Sequence, residues 1–168
     1  MKKYDKTDKK IKRIAIIYHF PCYDGGYSAM NAYLYYKYLY SEENTIHFFP
    51  SNSNNRLSEV KFEKYELVYI LDKGLNEEDY IHIAEILKNM ENIKIILIDH
   101  HNSSIKLLDS LNEKLKLKDL SNLKIIFDDK NEKSACGLTF EYFKNKALKK
   151  FTEKQFQEIF TENYKLVK

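Results

Sequence analysis

The chain has no tryptophan, and its 168 residues include only four glycines, two prolines and two cysteines. The two cysteines, Cys22 and Cys136, make no disulfide framework and both fall within patterned stretches, which points to a reducing, cytoplasmic setting. No apolar run reaches the roughly 18 residues of a membrane span, and the N-terminus lacks the apolar centre of a signal peptide. Neither Gly-x-Gly-x-x-Gly nor a Walker loop follows any apolar run, which argues against the common doubly wound nucleotide-binding domains. Internal repeats and linkers are absent too. Net charge is only +3, too little to imply nucleic-acid binding, and it is unevenly spread. Residues 1–13 carry +5, leaving −2 for the rest, so residues 1–10 read as a disordered basic arm.

What is present is 43% hydrophobic and 32% charged, a globular balance. Residues 11–168 are most simply one domain, long enough to bury about two thirds of the unfolded surface. Apolar runs of strand length occur at 14–18, 45–50, 67–71, 93–98 and 123–127. Between them, helical spacing predicts helices over 27–40, after Asn76, from Ser134 through Phe143 and over 151–166. Leu57 to Tyr65 suits a short helix, and 102–120 is the stretch with the weakest pattern. Strands alternating with helices predict an α/β fold of three layers. Its sheet is mainly parallel with about five strands and has helices on both faces.

Three of the predicted strands end in polar groups. The first runs into His19 and then Asp24, the third into Asp72, and the fourth into Asp99-His100-His101. Right-handed crossovers bring these carboxyl ends to one rim. Each residue alone has an ordinary explanation as a turn acid or a hydrogen-bonded histidine. Carboxylates and imidazoles converging on one rim, however, repel or stay unsolvated unless a cation neutralises them. The donors suit Mn²⁺, Fe²⁺, Zn²⁺ or Mg²⁺, and one carboxylate can bridge two ions. His47 and His82 fall mid-strand and on a helix, and read as structural.

Ile98-Asp99-His100-His101 after an apolar strand resembles the third motif of the DHH phosphoesterase family. The rest follows in order. His19-Phe20-Pro21-Cys22-Tyr23-Asp24-Gly25 resembles the first motif in the variant His-x-Pro-Cys-x-Asp-Gly, and Val68 to Asp72 resembles the second. Lys133 to Phe143 is similar to the helix start that follows in that subgroup. The resemblance implies a phosphodiesterase or phosphohydrolase of the DHH type, Mn²⁺-dependent with one or two ions or using Mg²⁺, and hydrolysing by metal-activated water. By position it makes His19, Asp24, Asp72 and His100 metal ligands, with Asp72 bridging. His101 would face the scissile phosphate, and Asp99 would orient a histidine. Implied partners are a phosphorylated small molecule or a short oligonucleotide, with no membrane; a homo-oligomer is left open.

The chain departs from the family pattern in three places. Many members carry Asp-x-Asp-Gly in the first motif, and here Cys22 stands at the earlier aspartate. The fourth motif's acid has Glu162 as its nearest counterpart, with Asp128 and Asp129 as alternatives, so Cys22, Glu162 and Asp128 are candidate further ligands. No glycine follows Gly137, so the family's Gly-rich accessory C-terminal domain is expected to be absent. The chain is then either the N-terminal domain of a longer protein or a reduced member. These departures sustain a second reading, a catalytically degenerate DHH-fold binding or scaffold module.

Overall fold

The structure is a computed structural model describing residues 13–39, 44–52, 57–128, 130 and 132–165. The basic arm, Asp129 and the last three residues lie outside the described residues. Each apolar run forms a strand: β1 (Arg13–His19), β2 (Thr45–Ser51), β3 (Leu67–Leu71), β4 (Lys94–Ile98) and β5 (Leu123–Ile126). All neighbours pair in parallel, in the order β2-β1-β3-β4-β5. Every residue of β3 is buried, as expected for a central parallel strand covered on both faces.

Among the described residues five α-helices cover the sheet: α1 (Tyr23–Leu34), α2 (Glu77–Asn89), α3 (Asn102–Leu115), α4 (Ala135–Ala147) and α5 (Glu153–Lys165). Alternate strand residues feed two cores, because successive side chains point to opposite faces. Ile14, Ile16, Tyr69, Leu71, Ile96 and Ile98 pack against α1, α4 and α5. Ala15, Ile17, Val68, Ile70, Ile95 and Leu97 pack against α2 and α3. This is the three-layer α/β architecture expected from the alternation.

Local chemistry sets most of the helix boundaries. Asn76 Oδ1 accepts the Asp79 N–H at 2.9 Å and Asp79 Oδ2 accepts the Asn76 N–H at 3.4 Å, a reciprocal cap for α2. Ser134 Oγ accepts the Gly137 N–H at 3.2 Å and starts α4. The weakly patterned 102–120 stretch does contain a helix, which ends at Leu115 because Lys116 turns left-handed (φ 55°). Leu57 to Tyr65 holds two 3₁₀ turns, at Leu57–Glu59 and Phe62–Lys64.

The start of α1 differs from the sequence expectation. The helix begins at Tyr23 rather than Tyr27, inside the stretch that reads as a turn. Its first turn lies directly over the end of β1, where a Cβ on Gly25 would sit 2.2 Å from the His19 carbonyl oxygen. Glycine at 25 is therefore an opening for close approach, not a helix breaker.

The strand order locates the functional rim. The chain steps from β1 out to β2, then returns past β1 to β3, β4 and β5. That reversal leaves a crevice beyond the carboxyl ends of β1 and β3, where open α/β sheets place ligands. Register then aligns the ends: Tyr18 pairs with Leu71, and Leu71 with Ile98. His19, Asp72 and Asp99 consequently follow three adjacent, aligned strand positions.

Candidate metal centre

Asp72 is the middle of the cluster. It is 1% exposed and adopts a left-handed backbone (φ 56°), a conformation that a non-glycine residue keeps only under constraint from its surroundings. His19 Nδ1 lies 3.5 Å from its Oδ2 and His100 Nε2 lies 3.2 Å from its Oδ1. Neither approach is an aligned hydrogen bond, and both carboxylate oxygens are buried without a hydrogen-bond partner. Burial first, and the charge of Asp24 second, push the Asp72 carboxyl above its usual range, while Cys22, His101 and His100 pull it down less strongly. A buried carboxylate beside another acid, with imidazoles near it but no aligned hydrogen bond to it, is a position that a cation would stabilise.

Two donor groups share that carboxylate. His19, Cys22 and Asp72 each offer a ligand atom, and these lie within 4.8 Å of one another; the same holds for Asp72, His100 and His101. His100 Nε2 also lies 3.5 Å from Asp24 Oδ2, which ties the first motif to the third, while Asp24 itself falls outside both donor groups. These residues fit a divalent cation: imidazole, thiol and carboxylate donors gather around a buried acid that has no hydrogen-bond partner.

Asp99 is fully buried, and its Oδ1 accepts both the His100 backbone N–H at 2.9 Å and His101 Nδ1 at 2.6 Å. The hydrogen bond that His101 donates to Asp99 raises the His101 pKa, outweighing the opposing effect of burial. It also fixes the ring so that Nε2 is the nitrogen left for other contacts.

A long-range contact that sequence reasoning missed holds Asp24. Its Oδ2 accepts the Ala135 N–H at 3.0 Å and its Oδ1 accepts the Cys136 N–H at 2.6 Å, so the acid caps the positive end of α4. Buried Asn31 of α1 braces the same turn by donating to the Cys136 carbonyl at 3.3 Å. Behind it, Phe143 anchors α4 to the sheet, with its ring 5.1 Å from Tyr35 and 5.3 Å from Tyr69, centroid to centroid. A polar Asn31 at an apolar helix position was the one signal available beforehand.

The other candidate ligands fare differently. Cys22 joins the cluster. Asp128 has other work: its carboxylate accepts the backbone N–H groups of Lys133, Glu132 and Lys130, which shapes the β5–α4 loop and holds its pKa low. It falls outside both donor groups found among the described residues. Glu162 lies in α5, with its side chain outside the described residues. His47 hydrogen-bonds the Tyr65 hydroxyl at 2.7 Å, and His82 packs edge-on against Phe62 at 5.7 Å, so both sit in structural surroundings.

Comparison with known proteins identifies the family. The model of the DHH family, N-terminal domain, matches residues 13–164, and the chain belongs to the DHH family. Members are phosphate-ester hydrolases and typically metal-dependent. The crystal structure of an uncharacterized protein from Helicobacter pylori G27 is similar in fold, with a TM-score of 0.57 at 17% identity. The match covers 80% of this chain and 36% of that one, so the present chain spans about a third of that protein. No curated protein matches. No helix among the described residues is long and apolar enough to cross a membrane.

Proposed function

We propose that this chain is a metal-dependent phosphoesterase domain of the subgroup with a His-x-Pro-Cys-x-Asp-Gly first motif. Its substrate is a phosphodiester or phosphoanhydride in a short single-stranded nucleic acid or a small nucleotide. The observation that carries the reading is Asp72, whose two buried oxygens have no hydrogen-bond partner and are flanked by donors on both sides. His19, Cys22 and Asp72 would hold one cation; Asp72, His100 and Asp24 would hold a second. Mn²⁺ suits this mixed set better than Mg²⁺, because imidazole and thiolate are softer than oxygen donors. When bound, such an ion supplies Lewis acidity and lowers the pKa of coordinated water.

The chain's own residues do the rest. Asp99 locks the His101 ring through Nδ1, and Nε2 is then free to donate to a phosphoryl oxygen as charge develops on it. The α4 amides on Asp24 and the packing that buries Asp72 keep the carboxylates in place before substrate arrives. Cys22 in place of an acid favours the scaffold reading instead, so turnover has to be measured as well as binding.

Mn²⁺ titration by calorimetry on the wild type and on Asp72→Ala is the direct test. Wild-type binding weakened about 100-fold or more by the substitution is expected, at the upper end of what loss of one supporting ligand group does. Binding that ignores the substitution would remove the reading. Mn²⁺-dependent cleavage of a chromogenic phosphodiester that disappears in His100→Ala would exclude the scaffold alternative.

A further inference from the structure

We propose that the surface beside the metal rim is a nucleobase-binding trough, which makes a nucleoside part of what this protein recognises. The inference rests on the phosphoesterase reading of the rim and adds a second, uncharged subsite to it. The large exposed hydrophobics among the described residues are concentrated in one region: Phe20 and Tyr23 at the β1–α1 junction, Tyr27 on α1, Tyr38 on the π-helical segment Tyr35–Leu39 that continues it, and Phe48 on β2. Tyr23 is the extreme case at 88% exposed. Four of these rings, Phe20, Tyr23, Tyr27 and Phe48, line an open trough of about 580 Å³. That volume falls within the roughly 300–1,000 Å³ of small-molecule sites. No charged side chain lines it among the described residues.

Three observations point to a planar, uncharged group attached to a phosphate. First, the trough is continuous with the rim. Cys22 is part of the trough wall and is also one of the His19–Cys22–Asp72 donors. A ligand whose phosphate lies on the rim places its adjoining group there. Second, rings that border the trough meet edge-on or tilted, as Tyr18 does with Phe20 at 6.5 Å and with Phe48 at 6.4 Å. They do not stack face to face on one another, and the exposed rings of Tyr23 and Tyr27 make no ring contact among the described residues, which leaves their π-faces for a flat partner. Third, Gly26 lies on the trough wall, and a Cβ there would meet nothing within 4 Å. A helical glycine with open space costs stability relative to alanine without serving any contact in the fold. Its effect is to keep the trough clear.

Calorimetry in the presence of Mn²⁺ tests this with three probes: adenosine 5′-monophosphate, ribose 5-phosphate and adenosine. The base is expected to tighten binding about 10-fold or more over ribose 5-phosphate, within the range of a single base–aromatic stack. Gly26→Leu, which fills the trough, and Tyr23→Ala, which removes an exposed ring, should each erase that advantage. Both should leave ribose 5-phosphate affinity and Mn²⁺ affinity near wild type, and neither should lower the thermal unfolding midpoint. Equal affinity for the two phosphates, or a base advantage that survives both substitutions, overturns the proposal. So does a concentration-dependent dimer that Gly26→Leu dissolves without any base preference, because the trough would then belong to a second copy of the chain. The two readings fail separately. Adenosine binding lost in Gly26→Leu with no Mn²⁺ bound at all would keep the trough and discard the rim. Asp72-dependent Mn²⁺ binding with no base preference would do the reverse.

Discussion

Cys22 divides two regions of opposite character. On one side the aligned ends of β1, β3 and β4 gather His19, His100 and His101 around the buried Asp72 carboxylate, which has no hydrogen-bond partner. On the other, aromatic rings surround a space without charge. Two adjacent glycines show how differently the regions are built. Gly25 faces the strand end, where a side chain would collide with the His19 carbonyl; Gly26 faces the trough, where a side chain would touch nothing. The polar side is over-determined by backbone contacts, from the β1 end through α1 to the α4 amides that hold Asp24. The apolar side is left open by the fold. Pre-organisation suits a site that must hold like charges together. A stacking surface needs only access.

The widest separation of the two regions should come from the glycines themselves. Gly25→Ala forces backbone apart at the β1–α1 junction and should destabilise the protein by about 3 kcal/mol, the upper end for overpacking in a close-packed site. Chemical denaturation measures it, and an unfolding midpoint equal to wild type would show that the junction yields freely. Next in size is Asp99→Asn, which keeps the shape of the His101 contact but removes its charge. Turnover should fall about 10- to 100-fold while Mn²⁺ affinity changes little, a split typical of a group that orients another. Mn²⁺ affinity falling as far as turnover would place Asp99 among the ligands instead. The smallest effect belongs to Gly26→Ala, which should raise stability by about 0.5–1 kcal/mol through better helix propensity alone. A loss of stability there would reveal a packing role for Gly26 that the open space does not show.

Much of the rim was legible beforehand for a simple reason. A buried parallel strand is a continuous apolar run, and the residue at which it abruptly turns polar marks the sheet edge. His19, Asp72 and Asp99-His100-His101 each stand at such a break. Asp128, the alternative to Glu162 for the fourth motif's acid, also follows a strand but spends its carboxylate on its own loop's amides. Strand-end position alone does not distinguish an acid aimed into a crevice from one that folds a turn. The early start of α1 was obscured because Gly25 and Gly26 read locally as breakers. Whether a glycine breaks a helix or admits a neighbour depends on what lies opposite, and for Gly25 that is the His19 carbonyl.

By itself, then, the sequence determined the alternation of strands and helices, the caps at Asn76 and Ser134, and the identities of the polar groups that end β1, β3 and β4. These follow from periodicity and short-range hydrogen bonding, which act over a few residues. Only the tertiary structure decided the strand order and the reversal between β1 and β3. It likewise decided the clamp of Asp24 by α4, more than a hundred residues away, and the meeting of Phe48 with the α1 aromatics across the trough. Those arrangements come from how the two faces of the sheet are covered, a balance struck among all the helices at once, and no local pattern encodes it.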